Sequence, residues 1–262
     1  MYITDKHYLV LPAKKVVSPR DRFIRYYNDL ADLEKQSRPT DEIYLTGDQY
    51  SYAELGDAIL HRYKNDNVLN NLELLVICYW GHEFDPDYSF GAYLCDKYNI
   101  KAKNFDICDQ SILSPVTAIQ VIQSFFHNKQ VSNALLVCFD QTTIPTAANY
   151  VGSKPEKSSV ASVLFSNQQS DINQYQIVDS KCLSKSALKH HNFSGKTINL
   201  VYSDTSKFDY SSAGIMSSLF QKKYFQQGGG ETRFYVHDIE SSDVGIVTVK
   251  KSSMNKNKDI LI

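Results

Sequence analysis

Among groups able to do covalent or acid–base chemistry, the five cysteines come first: Cys78, Cys95, Cys108, Cys138 and Cys182. A thiol attacks only as a thiolate, so its surroundings decide its use. Cys78 and Cys138 lie inside apolar, strand-like runs, where a thiol serves as a small hydrophobe. Cys108 closes the run Asn104-Phe105-Asp106-Ile107-Cys108 and reads as a buried strand thiol, with a displaced nucleophile as the alternative. The scattered cysteines show no C-x-x-C and no Cys/His pairing that would support zinc. His190-His191 sits in a polar stretch and reads as surface decoration rather than a metal site. His82, after Trp80-Gly81, could face a pocket but reads as a loop histidine held by its neighbours. Asp106 reads as bonded to nearby backbone groups. Gly228-Gly229-Gly230 comes after a helical stretch, so it reads as a helix stop and turn rather than a phosphate cradle.

The elements that position these groups come from periodicity. Ser51 and Glu54 form a capping box, and Leu55, Ala58, Ile59 and Tyr63 give a helix its apolar face. Residues 72–79 are nearly unbroken in apolarity, as in a strand covered on both faces. Asp85-Pro86-Asp87 is a turn before a helix over 88–98. The short strand 104–108 comes next, then a helix with Val116, Ile119, Ile122 and Phe126 inward. Ser114-Pro115 reads as an N-cap with proline at the first helical position. Strands over 134–139 and 160–165 flank a loop over 141–157. Strand, helix, strand, helix, strand predicts a mostly parallel sheet with right-handed crossovers.

Beyond Ser166 the texture changes. Residues 167–173 are polar, and 181–195 show no clear period. A strand is expected over 197–202 and a helix over 211–225. Two more strands, 233–239 and 244–249, are joined by Glu240-Ser241-Ser242-Asp243, a hairpin by length and turn chemistry.

Length and charge narrow the function classes. A chain of 262 residues that is 42% hydrophobic buries a real core in one large α/β domain or two intimately packed halves. With 28 basic against 29 acidic residues, nothing favours nucleic acid or an anionic membrane as partner. The opening residues do not read as a secretory signal, and no run approaches bilayer length, so the chain is expected in the cytoplasm.

Ordered this way, the middle of the chain resembles ketoacyl-ACP synthase III of the thiolase-like superfamily. Phe105-Asp106-Ile107-Cys108-Asp109-Gln110-Ser111 is similar to that family's strand and approach to its nucleophilic cysteine, with Ser111 at the cysteine position. The next helix and residues 131–137 keep the family's spacing. Asp209-Tyr210-Ser211-Ser212-Ala213-Gly214 is similar to the family's Asn-bearing helix start, with Asp209 at the Asn position. The closing hairpin, with Gly245 in its second strand, is similar to the family's last one. The resemblance spans roughly 51–165 and 197–251. It implies a thiolase-like α/β fold in α-β-α-β-α layers: an N-terminal half over 1–166, a shortened C-terminal half over 167–251, and a polar tail over 252–262.

The resemblance also implies a chemistry, and the departures bear on it. In the family a cysteine thiolate takes the acyl group, His and Asn assist condensation, and backbone amides stabilise the oxyanion. Ser111 lacks a thiol's low pKa and needs an adjacent base; His82 and His237 are the candidates near strand ends. The family's His unit has no room between Phe165 and Asp209. Asp209 puts a carboxylate where an amide should be, and Ile239-Glu240-Ser241 replaces a glycine-rich loop. Ordinary condensing activity is therefore not expected, which leaves two main readings and, behind them, a divergent thiolase-like fold reused for binding alone. In one, the chain is a non-catalytic subunit that binds no cofactor. It pairs through Asn104, Phe105, Asp106, Ile107 and Cys108 with a thiolase-like or ketosynthase partner, or with itself, beside an acyl carrier protein. In the other, it is a small acyltransferase using Ser111, with the phosphopantetheine thioester of acyl-CoA or acyl-ACP as donor.

Overall fold

The computed structural model describes residues 1–14, 21–40, 45, 47–64, 67–79, 81, 83, 85, 89–108, 110–143, 155, 157–169, 175–188, 196–201, 212–219, 230–238 and 241–251. Arg22, Ser111 and residues 199–201 are described by their backbone alone. The strands are β1 (Tyr2–Val10), β2 (Leu74–Cys78), β3 (Lys103–Ile107), β4 (Asn133–Asp140), β5 (Ser159–Ser166), β6 (Tyr175–Ser184), β7 (Lys196–Val201), β8 (Glu231–His237) and β9 (Asp243–Lys251). The helices are α1 (Asp21–Leu33), α2 (Tyr52–Leu60), α3 (Phe90–Lys97), α4 (Ser114–His127), α5 (Lys185–Leu188) and α6 (Ser212–Leu219).

The strands join in the order β3-β2-β4-β5-β1-β6-β9-β8-β7. β2 runs parallel to β3 and β4, and β7 parallel to β8; every other described pairing is antiparallel. The sheet is therefore mixed, not mostly parallel as the element order predicts. β5 returns beside β4 in the opposite sense, which requires no parallel crossover. β1 and β6, for which periodicity gives no clear signal, add antiparallel neighbours. β1 carries only one fully buried residue, Ile3, among half-buried positions, so its apolar signal is weak. β6 shifts register between Ile177 and Asp179, and that bulge breaks its alternation.

The two halves repeat one pattern. β1-β5-β4-β2 pair antiparallel, antiparallel, parallel, and β6-β9-β8-β7 do the same. The first half adds α3 and β3 beyond β2; no counterpart to β3 lies beyond β7 among the described residues. Among the described residues the halves join strand to strand where Tyr2 and Ile3 pair with Gln176 and Tyr175, extended by the Ile177 amide donating to the Met1 carbonyl at 2.8 Å.

Side-chain alternation sorts the core into layers. Leu74, Val76 and Cys78 of β2, Ala134, Leu136 and Cys138 of β4, and Ala161, Val163 and Phe165 of β5 face α4 and α6. Phe234 and Val236 of β8 and Val247 and Val249 of β9 close the same core from the other half. Leu75, Ile77, Leu135, Val137 and Phe139 point oppositely, against α2 and α3. Strands buried on both faces have no polar alternation, which is why β2 and β4 read as unbroken apolar runs. The capping box forms as expected: the Glu54 amide donates to Ser51 Oγ at 3.1 Å, and the Ser51 amide to Glu54 Oε2 at 2.9 Å. A Cβ on Gly56 of α2 would stand 2.3 Å from Leu94 Cδ1, so a glycine lets α2 and α3 approach closely.

Candidate functional site

The backbone around Ser111 is set by its C-terminal neighbours. β3 ends at Ile107, and Ser111–Leu113 form a 3-10 turn before α4 begins at Ser114. Ser114 is thus the first helical residue and Leu113 the cap, without a capping side chain, whereas the sequence predicts Ser114 as cap. Pro115 in the first turn has no N–H, which removes one of the donors a cap would serve. Ser111 therefore stands three residues ahead of the α-helical N-terminus.

That start is packed tightly. Ile112, Leu113 and Val116 are buried. β9 approaches so closely that a Cβ on Gly245 would lie 2.8 Å from Val116 Cγ2 and 3.1 Å from Leu113 Cδ2. A methyl group there is well inside van der Waals contact, so glycine is needed for α4 to seat.

The cysteines divide. Cys78 and Cys138 are register partners on β2 and β4, both fully buried. Burial, then Cys138 and Asp140 nearby, holds the Cys78 thiol well above its ordinary range, so it supplies no thiolate. Cys108 lies one residue past β3 and is half-buried, correcting the expectation of a thiol inside the strand. Strand pairing with β2 stops at Ile107, which frees the next residue from the sheet.

Asp140, at the end of β4, is a group that no sequence motif singled out. It is fully buried, and its Oδ2 accepts the amides of Ala213 at 3.0 Å and Gly214 at 3.1 Å. Ser159 Oγ donates to the same oxygen at 3.4 Å. The N-terminus of α6, where positive dipole could meet a developing anion, is thus already engaged by a carboxylate of the protein. A charged residue closing an otherwise apolar strand was the available signal, since a buried charge needs partners.

His237 turns away from the α4 side of β8. Phe234 and Val236 of β8 face α4, so by strand alternation His237 turns to the opposite face. There its ring stacks on Tyr235 at 6.3 Å, and burial followed by the nearby Lys185 holds it below the ordinary histidine range. Asp209, His82, His190, His191, Gly228, Gly229, Ile239 and Glu240 lie outside the described residues. Of the positions replacing the glycine-rich loop, Ser241 is described, and its hydroxyl donates to Asp238 Oδ2 at 2.7 Å.

β3 is the terminal strand of the order and pairs only with β2 among the described residues. Phe105 and Ile107 pack against the inner core, and the Phe105 ring stacks on Phe125 at 6.0 Å. Lys103, Asn104 and Asp106 are exposed. Although much of Asp106 is exposed, desolvation by the surrounding protein raises its carboxyl, against a hydrogen bond from Tyr79 that lowers it.

No described helix is long and apolar enough to cross a membrane. No protein-family model and no curated protein sequence matches the chain. Solved structures do. ChlB3, described as an acyltransferase, superposes with a TM-score of 0.61 at 9% identity, over 97% of this chain and 98% of ChlB3. A cysteine-to-serine variant of Xanthomonas campestris OleA, with bound lauric acid and lauroyl-CoA, gives 0.59 at 10% identity, over 95% and 98%. The 3-oxoacyl-[acyl-carrier-protein] synthase III of Aquifex aeolicus gives 0.57 at 12% identity, over 95% and 99%. The chain has the thiolase-like α/β fold that ketoacyl-ACP synthase III also adopts.

Proposed function

We propose that this chain is a thiolase-like subunit impaired in condensation. It pairs through β3 with an active thiolase-like or ketosynthase subunit, in cytoplasmic biosynthesis of a fatty-acid-like, polyketide or other secondary product. The observation that carries the reading is β3 itself. It is a formed strand with half-buried Phe105 and Ile107 packed against the core and a backbone edge that no described strand covers. Such an edge invites pairing and is a liability when left bare. The impairment is supported by the 3-10 turn at Ser111, the carboxylate of Asp140 on α6, the replaced Asn position at Asp209, and the placement of His237 on the far face. A homodimer through β3 is the weaker form of the same reading. An acyl carrier protein would reach the pair through the active partner.

Phe105→Pro is the test. Proline removes a ladder donor and twists the edge, so co-purification with the thiolase-like partner should be lost and the isolated chain should self-associate. The chain alone should not condense acyl-CoA with malonyl-ACP above a Ser111→Ala control. A wild-type chain that is a well-behaved monomer, with Phe105→Pro changing only local stability, would overturn the reading.

The second reading is an acyltransferase using Ser111 with an acyl-CoA or acyl-ACP donor. It is favoured by ChlB3's description and by the serine-bearing OleA variant that holds lauroyl-CoA. An adduct mapped to Ser111 or Cys108 by intact-mass and peptide analysis after incubation with acyl-CoA would select it; an unchanged mass supports the first.

A further inference from the structure

β1 and β5 run antiparallel with Lys6 opposite Val163 and Tyr8 opposite Ala161. Directly opposed residues share a face, and Ala161 and Val163 belong to the inner core, so all four side chains look toward α6. α6 answers with Met216, which is buried, and Ser217 at the rim. Because β1 leaves β6 after Ile3, the half-sheets splay apart here, and a cavity of about 170 Å³ remains between β1, β5 and α6. His7 and Ser162 also line it, yet their side chains are committed to the opposite face. His7 Nε2 is 3.0 Å from Asp5 and its ring meets Tyr63 edge-on at 5.1 Å, while Ser162 Oγ is 2.8 Å from the Tyr63 hydroxyl. The walls are thus Tyr8, Ala161, Val163 and Met216. Among the described residues lining that face, the charged one is Lys6, whose ammonium lies 5.2 Å from the Tyr175 ring centroid beside the cavity's strand β1.

We propose that this cavity binds a short-chain aliphatic carboxylate, with the alkyl chain against Tyr8, Ala161, Val163 and Met216 and the carboxylate at Lys6 and Ser217. Apolar walls with a few placed polar groups at the mouth are the usual composition of a small-molecule site. The volume selects the length: at about 30 Å³ per water-sized group, it holds a chain of about five or six carbons. The described lining residues come from β1, β5 and α6 and none from β3, so the site stands apart from β3 pairing.

The test is ligand titration of the full chain, monitored by amide chemical shifts, with straight-chain carboxylates from propionate to decanoate and the matching alcohols. Affinity should rise about fourfold per methylene up to hexanoate and then stop rising. Lys6→Gln should weaken hexanoate about tenfold while leaving hexanol unchanged, and Ser217→Phe should abolish both. Lys6 and Ser217 are only half-buried, so both variants should keep the parent circular dichroism spectrum, which is checked first. Hexanoate that does not saturate, affinity that ignores chain length, or hexanoate binding unaffected by either variant would overturn the proposal.

Discussion

Replacing Asp140 probes whether α6 is held by a carboxylate on its first amides. Asp140→Ala removes two backbone hydrogen bonds to a carboxylate acceptor, each contributing about 1.5–3 kcal/mol, together with the longer bond from Ser159 Oγ, and leaves the Ala213 and Gly214 amides without it in a buried setting. Relief from burying the charge offsets part of that loss. The balance is a destabilisation of about 2–4 kcal/mol, since what is left behind is neutral amides rather than an unpaired charge. Asp140→Asn keeps an oxygen that can accept at the same place and loses only the charge, so about 1–2 kcal/mol is expected. Urea unfolding monitored by far-ultraviolet circular dichroism gives both numbers, and amide exchange gives the location: Ala213 and Gly214 should exchange faster in the alanine variant. If Asp140→Ala falls within about 1 kcal/mol of the parent, or the asparagine variant is equally damaged, the capping account is wrong.

Gly245→Val should destabilise by about 1–3 kcal/mol or more, because its Cβ would already overlap Val116 and Leu113; an unchanged urea midpoint would contradict the close approach. His237 is held below its ordinary range, so the unfolded chain takes up the proton first and stability is full above about pH 6.5 and falls as pH drops below it. His237→Gln should flatten that acid limb, and an identical pH profile would rule the histidine out as its source. Native thiol titration with an aromatic disulfide reagent should leave Cys78 and Cys138 unreacted until denaturant is added; rapid labelling of all five cysteines would show that the β2–β4 pair is not sealed.

Much of the first half was legible because its strands are buried on both faces. The runs at β2, β4 and β5, the Ser51 and Glu54 box and the hairpin of β8 and β9 all carry local signals that tertiary packing leaves intact. The terminal place of β3 could be argued from order alone, since nothing later in that half was free to cover it. β1 and β6 escaped because one is half-exposed along its length and the other carries a bulge that resets the period. The sense of β5 was lost because apolarity does not encode direction. The site was less legible still. Asp140 and the start of α6 are 73 residues apart, and only the folded chain brings them together. His237 was misassigned because proximity to a strand end says nothing about which face its side chain takes.

The pairing of β1 with β5 has a consequence during synthesis. Tyr2 leaves the ribosome about 160 residues ahead of its partner Ser166. At about 5–20 residues per second, β1 waits roughly 10–30 seconds with its edge bare. The first half cannot close its sheet in that interval, since β5 is the strand that joins β1 to β4. Nascent chains halted before residue 159 should therefore be captured by chaperones or cleaved near the N-terminus, and chains released past β5 should resist both.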